Sequence, residues 1–181
     1  VDFLYNEVWG KDNDRTEAKF SHLKTIIDEN NEYSGNQLNT VFAAYMNYWL
    51  AENVGEFNTP GVLLTDAVMF ALGGSHLELG PHMLCNEYFP NDNLKMTEAL
   101  KKYIIHYYDF MTAYQNVLRD GGSLTTNVDI VSVDGKFEVQ SWPPVKGKLC
   151  TIGRSLENQD VIHLLNLSQA DSDEWRDDYG T

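Results

Sequence analysis

The sequence predicts an α/β fold in which parallel β/α units are followed by an all-β segment. Strand-like and helix-like patterns alternate three times over about 120 residues, and short strand-like runs separated by Gly, Pro, Asn and Asp follow from Gly121 onward. We therefore expect two domains, residues 1–120 and 121–181. An eight-stranded (β/α) barrel needs on the order of 250 residues, so a barrel reading implies further units upstream.

The composition excludes several classes of partner. The chain has 181 residues, with 27 acidic against 13 basic side chains and a formal net charge of -14. Such a chain repels polyanions and offers no basic face for phosphates, so nucleic acid is not expected as a partner. No apolar run approaches the roughly 20 residues that a membrane-spanning helix needs, so no membrane span is expected.

The first β/α unit begins with the mostly apolar run Val1–Tyr5, which predicts a strand, followed at once by Glu7 and Trp9. From Thr16 to Glu29 a helix is indicated by apolar residues at helical spacing, closed near Gly35. These apolar residues are Phe20, Leu23, Ile26 and Ile27.

The second unit starts with the apolar run Thr40–Asn47, which predicts a strand buried on both faces. Thr59-Pro60 predicts a helix start, because proline lacks only an amide that would be unpaired there. The helix continues to Leu72 and is stopped by Gly73-Gly74 in the manner of a left-handed cap.

The third unit combines a short predicted strand, Ser75–Leu79, with a helix that starts at Thr97-Glu98 and continues to Leu118 through apolar residues spaced three and four apart. Beyond Gly121 four further strands are predicted. They are Val128–Val133, Lys136–Gln140, Lys148–Ile152 and Val161–Leu167.

Several polar and aromatic side chains fall at the carboxyl ends of the predicted parallel strands, where barrel enzymes place their active groups. These are Glu7, Tyr45, Asn47, His76 and Glu78. Glu7 lies near Trp9, and a carboxyl group in an apolar setting has a raised pKa and serves as a general acid. The alternative for Glu7 is a solvated loop glutamate.

Glu78 is the obvious second carboxylate. Cleavage of a glycosidic bond typically uses two carboxyl groups, one as the acid and one as a nucleophile or base. Glu78 lies between two leucines, so a sugar ligand or a buried structural acid fits equally well, and His76 more commonly marks a structural residue than a base. The remaining histidines lack the spacing of a metal site, so no metal or cofactor is expected.

Long segments of the chain resemble glycoside hydrolase family 66, which contains dextranases and cycloisomaltooligosaccharide glucanotransferases. Several matches in the same order are far more specific than one motif. They are FLYNEVW (3–9), NTPGVLLTDAVMF (58–70), GSHLELG (74–80), EYFP (87–90), YYDFMTAYQN (107–116), VIHLLN (161–166) and WRDD (175–178).

The resemblance implies a (β/α)8 catalytic barrel with a C-terminal β domain and a retaining mechanism on α-1,6-glucan. It assigns Glu7 as the acid/base and starts the chain at the sixth barrel strand. No residue of this chain matches the family's nucleophile, an aspartate on an earlier strand, so the isolated chain is expected to be inactive. Secretion or surface attachment is expected, because dextran is too large to enter a cell readily.

Within the family, the resemblance favours a dextranase. The cyclising transferases carry a carbohydrate-binding insert after the seventh strand, and Tyr48–Pro60 leaves no room for one. The expected partners are dextran and isomaltooligosaccharides. The residues expected to line the sugar-binding subsites are Trp9, Tyr45, Asn47, His76 and Glu78. The cyclising transferase and a non-catalytic glucan-binding module stay open as alternatives.

Overall fold

The structure is a computed structural model that describes residues 2–10, 15–78, 80–82, 85 and 91–177. The family-like segment EYFP at 87–90, Asp178 of the WRDD segment, and Leu79 at the end of the predicted strand Ser75–Leu79 lie outside the described residues. The elements follow one another as β1 (Phe3–Val8), α1 (Phe20–Ser34), β2 (Asn39–Ala44), a 3-10 turn (Leu50–Glu52), β3 (Gly55–Glu56), α2 (Thr59–Ala71), β4 (Ser75–His76), β5 (Leu94–Lys95), α3 (Glu98–Leu118), β6 (Ser123–Thr125), β7 (Val139–Ser141), β8 (Leu149–Ser155) and β9 (Asp160–Asn166).

Strands β1, β2 and β4 form a parallel sheet in that order, as the predicted β/α units require. Its register places Glu7 beside Ala43, and Phe42 beside both Asn6 and His76. Strand side chains alternate between faces, so Glu7 and His76 belong to opposite faces. The helices cover the face that carries Phe42, and the membership of this sheet in a closed barrel stays a prediction.

Helix α1 buries the predicted stripe of Phe20, Leu23, Ile26 and Ile27. It begins later than the predicted Thr16, because residues 16–18 form a turn and Lys19 pairs with Glu174 in an isolated β-bridge. The helix ends at Gly35 with φ 61°, a left-handed conformation that glycine adopts at little cost.

Helices α2 and α3 start and end close to the predicted residues. Pro60 lies in the first turn of α2, and Gly73 follows the helix with φ 89°. The Thr97 hydroxyl accepts a hydrogen bond from the Leu100 amide over 2.9 Å and so caps α3. Strand β4 is shorter than predicted and comprises two residues. No helix in the described ranges combines the length and the apolarity needed to cross a bilayer.

The sheet after residue 121 is built on β8, which pairs with β6 and β9 in antiparallel fashion and with β7 in parallel. The predicted strand Val128–Val133 is wrong. Val131 and Val133 are 81% and 101% exposed, and this run joins no strand. Its valines match the alternating pattern of a strand, but no neighbouring backbone pairs with them. The first strand of this sheet is instead β6.

Residues 173–177 return to the first part of the chain and pack against it. The Trp175 side chain is fully buried, its amide donates to the Ala18 carbonyl over 2.8 Å, and its indole N–H donates to the Glu17 carbonyl over 2.7 Å. The buried Arg176 donates to the Gly10 carbonyl over 2.9 Å. The tail therefore holds the segments that follow β1.

Candidate active site

Glu7 projects from β1 on the face of the sheet that the helices leave uncovered. The residue is exposed, and Phe3 and Tyr5 on the same face are each 49% exposed. The Tyr5 hydroxyl donates a hydrogen bond to Glu7 Oε1 over 2.9 Å. The alternation of the strand produces this contact, because side chains two residues apart share a face. Glu7 is thus a carboxylate that keeps one oxygen for a ligand.

The Tyr5 hydroxyl is protonated at neutral pH and can therefore donate its hydrogen bond to Glu7. Desolvation, together with the hydrogen bond to Glu7 and the charges of Glu7 and Tyr45, raises the pKa of Tyr5 to about 12. The phenol therefore stays protonated across the range in which a glutamate titrates.

Trp9 and Tyr45 form an aromatic wall beside the carboxylate. Their ring centroids lie 3.8 Å apart at an interplanar angle of 19°, and they pack together with Ala43. Ala43 is the register partner of Glu7, and the Tyr45 amide donates to the Val8 carbonyl over 3.1 Å. The structure thus brings three predicted site residues, Glu7, Trp9 and Tyr45, to one place.

Asn47 is fully buried, and its side chain is engaged within the protein. It has φ 51°, its amide nitrogen donates to the Asp177 carbonyl over 2.5 Å, and its amide oxygen accepts from the Asn58 amide over 3.1 Å. The backbone N–H of Asn47 donates to the Arg176 carbonyl over 2.9 Å. These bonds join the end of β2 to the C-terminal tail and to the start of α2.

His76 and Glu78 do not join Glu7. His76 is 3% exposed and lies on the helix-covered face, where Nδ1 is 2.9 Å from Asp66 Oδ1 and Nε2 is 3.2 Å from the Ala44 carbonyl. Glu78 Oε1 lies 3.7 Å from His76 Nδ1. Burial, the charge of Asp66 and a hydrogen bond to Asp66 raise the pKa of Glu78 to about 9.

Two residues of this region were not singled out from the sequence. Tyr5 is signalled by its position, since it lies two residues before Glu7 in a strand and therefore shares its face. Asp66 is the one acidic residue in the apolar helix α2 and is fully buried. A single acid inside an apolar helix is itself a signal, because a buried carboxyl group needs a partner.

The arrangement around Glu7 suits proton transfer to a bulky polar ligand. An exposed carboxyl group with one fixed oxygen leaves the other oxygen to give or take a proton. The partly exposed Trp9, stacked on the buried Tyr45, supplies apolar contact area for the nonpolar face of a ring-shaped ligand. The net charge of the chain disfavours anionic ligands. A neutral ligand such as a sugar therefore fits the site.

The comparison with relatives agrees with this chemistry. Two cycloisomaltooligosaccharide glucanotransferases of Niallia circulans are 34% and 30% identical over 68% of the chain, and a Streptococcus salivarius dextranase is 24% identical over 92%. The chain spans 13% of each glucanotransferase and 24% of the dextranase.

The fold is found in a solved structure. A Paenibacillus sp. cycloisomaltooligosaccharide glucanotransferase complexed with cycloisomaltoheptaose matches 97% of the chain and 42% of its own length, with a TM-score of 0.80 and 19% identity. The family model described as glycosyl hydrolase family 66 matches residues 1–181, the whole chain. The chain therefore belongs to glycosyl hydrolase family 66.

Proposed function

We propose that this chain forms part of an endo-acting retaining glycoside hydrolase that cleaves the α-1,6 linkages of dextran, with Glu7 as its acid/base. The observation that carries the proposal is the position of Glu7. It is an exposed carboxylate near the carboxyl end of a parallel strand, bonded to Tyr5 and placed beside the stacked rings of Trp9 and Tyr45. Family membership supplies the substrate class.

In the first step, Glu7 protonates the glycosidic oxygen of the leaving sugar. Tyr5 holds Oε1, so the proton is carried on Oε2, the oxygen left for the substrate. Loss of the proton leaves a carboxylate that still accepts the hydrogen bond from Tyr5. In the second step, the carboxylate accepts a proton from the incoming water, as a retaining mechanism requires of the same residue.

The aromatic wall provides a surface for a glucose ring next to the cleaved bond. Trp9 and Tyr45 are already stacked, so their positions are set before the ligand arrives. Preorganised side chains lose little conformational entropy on binding. We assign Trp9, which is partly exposed, to the sugar-binding surface, with the buried Tyr45 supporting its ring from below.

In this proposal the sugar is not contacted by the three other predicted residues, Asn47, His76 and Glu78. They have a structural role next to the site. All three side chains are engaged in contacts within the protein, Asn47 with the tail and His76 and Glu78 with Asp66. A polar side chain that is already held by contacts within the protein is not free to turn toward a ligand. Their contribution is to fix the ends of β2 and β4.

The catalytic nucleophile comes from another part of the enzyme in this proposal. Retaining glycosidases place the second carboxyl group about 5 to 5.5 Å from the first. The curated relatives are far longer than this chain, and the resemblance assigns the nucleophile to an earlier strand. We propose that β1, β2 and β4 are the last three strands of a (β/α)8 barrel, that the isolated chain is inactive, and that the whole enzyme acts outside the cell.

The cyclising transferase is the second candidate, because two of the relatives carry that name. The connection between β2 and α2 favours hydrolysis. It holds only a 3-10 turn, Leu50–Glu52, and a two-residue strand, Gly55–Glu56, which leaves no space for an inserted carbohydrate-binding module. A glucan-binding module without catalysis is the third candidate.

Product analysis tests the proposal. The longer protein that contains this chain is incubated with dextran, and its products are separated by size and by the presence of a reducing end. Linear isomaltooligosaccharides of mixed length are expected. Cyclic products without reducing ends would assign the transferase instead, and binding of dextran without any products would assign the binding module.

A further inference from the structure

Asp66, His76 and Glu78 form a cluster of metal-binding side chains away from Glu7, on the helix-covered side of the sheet. One candidate ligand atom from each residue lies within 4.8 Å of those of the other two. The side chains of Asp66 and His76 are 0% exposed and that of Glu78 is 7% exposed. Buried carboxylates are rare unless they are paired or bind a metal.

The His76 side chain directs its ring nitrogen Nδ1 toward Asp66 and Glu78. His76 Nε2 faces the Ala44 carbonyl, which only accepts hydrogen bonds, so Nε2 carries the proton. The other ring nitrogen, Nδ1, points at Asp66 Oδ1 over 2.9 Å. This contact is attractive when a proton or a metal ion lies between Nδ1 and Oδ1, so Nδ1 is the ring nitrogen placed to bind a metal.

The two acids also leave oxygen atoms without partners. Within the described part of the chain, neither Asp66 Oδ2 nor Glu78 Oε1 has a hydrogen-bond partner, and both atoms are buried. Leaving such atoms unsatisfied costs about 1 to 3 kcal/mol each. A bound cation would give both of these oxygen atoms a partner.

The spacing suits a small tetrahedral ion. Ligand atoms about 2.1 Å from such an ion lie about 3.4 Å from one another. The two distances from His76 Nδ1, 2.9 Å to Asp66 Oδ1 and 3.7 Å to Glu78 Oε1, bracket that value. The bond from Nε2–H to a backbone carbonyl is the outer support that metal-binding histidines commonly have.

We propose that Asp66, His76 and Glu78 bind a divalent transition-metal ion, with Zn²⁺ as the ion that best fits one nitrogen and two carboxylate ligands. The sequence predicted no metal, because the ligands come from a helix and a strand end whose meeting only the fold reveals. The site lies behind the sheet, so it fastens α2 to the end of β4 and takes no part in the chemistry at Glu7.

Calorimetric titration of the metal-stripped protein with ZnCl2 tests the proposal and needs no enzymatic turnover, so its outcome is separate from that of the proposed function. We expect one Zn²⁺ per chain. Asp66→Asn and Glu78→Gln are expected to weaken binding by roughly 100-fold or more, given that even outer-shell changes cost about 10- to 100-fold. The exposed pair Asp28→Asn and Glu29→Gln serves as a matched control and should bind as the unchanged protein does.

The absorption of Co²⁺ in the unchanged protein provides a reading that does not depend on whether a variant folds. A tetrahedral site gives strong visible bands that hydrated, octahedral Co²⁺ lacks. Tetrahedral bands that Zn²⁺ displaces support the site. The absence of zinc binding, or binding by both cluster variants as tight as that of the unchanged protein, overturns the proposal.

Discussion

Tyr5 donates a hydrogen bond over 2.9 Å to Oε1 of Glu7, the residue two positions further along the same strand. The pair makes the carboxylate a defined group with one oxygen held and one oxygen open. The contact also affects the titration of Tyr5, because desolvation together with the hydrogen bond to Glu7 and the charge of Glu7 raises the pKa of Tyr5 to about 12.

This linkage predicts how Tyr5 titrates when Glu7 loses its charge. In Glu7→Gln the hydrogen bond weakens and the negative charge is gone, so the pKa of Tyr5 should fall below about 12, while the part of the shift due to desolvation remains. The sign follows because a neighbouring negative charge opposes formation of the phenolate. NMR of tyrosines labelled at the ring carbon that bears the hydroxyl measures the shift, with Tyr5→Phe identifying the signal. An unchanged pKa in Glu7→Gln contradicts the contact.

The aromatic wall predicts a loss of sugar affinity when Trp9 is truncated. Trp9→Ala removes one of the two stacked rings, and we expect isomaltooligosaccharides to bind roughly 10-fold more weakly, in line with about 1.4 kcal/mol of lost contact. Trp9→Phe keeps a ring against Tyr45 and should retain most of the affinity. Calorimetric titration of the longer protein measures both. Equal affinity in all three proteins would remove Trp9 from the binding surface.

The buried hydrogen bonds of Asn47 should stabilise the fold beyond the effect of its left-handed backbone conformation. Asn47→Ala leaves the backbone N–H of Asn58 without its acceptor and places alanine at φ 51°. We therefore expect the free energy of unfolding, measured in urea, to fall by about 2 to 4 kcal/mol. The matched control is Asn36→Ala at φ 61°, which is exposed and should cost about 1 kcal/mol. If the two variants lose equal stability, the buried hydrogen bonds of Asn47 contribute nothing.

Gly61 predicts a second stability effect at the same junction. A Cβ atom on Gly61 would lie 2.0 Å from Asp177 Oδ2, the atom that accepts a hydrogen bond from the Asn58 side chain over 2.6 Å. Gly61→Ala therefore displaces the tail and should cost about 1 to 3 kcal/mol by thermal or urea unfolding. Gly55→Ala is the control, because its nearest atom lies 3.6 Å away in ordinary contact. Equal free energies of unfolding for the two variants would show that residues 173–177 can be displaced without a loss of stability.

The sequence predicted the helices and most strands because apolar periodicity and capping residues are local signals. The stripe of α1, Pro60 in α2 and the Thr97 cap of α3 all appear in the structure. The exposed Val128–Val133 run shows the limit of such signals, because a strand also needs a partner.

The sequence shows which residues lie at strand ends, but it does not show which of them share a face of the sheet. Position at a strand end is readable from sequence, but the face of the sheet depends on register, and a shift of one residue reverses it. Glu7 and Tyr45 fell on the open face, whereas His76 is level with Phe42 on the helix side. The partners of Asn47 and His76 come from residues 130 and 10 positions away, which no local pattern contains.

The most direct test of the acid/base assignment compares Glu7→Gln with the unchanged longer protein on dextran and on a glucosyl fluoride. Loss of a general acid costs about 10²- to 10⁴-fold where the leaving group needs a proton, and fluoride leaves with little assistance. We predict that the variant loses dextran cleavage by about that factor and still forms the glycosyl-enzyme from the fluoride. Normal cleavage of dextran by Glu7→Gln would contradict the assignment.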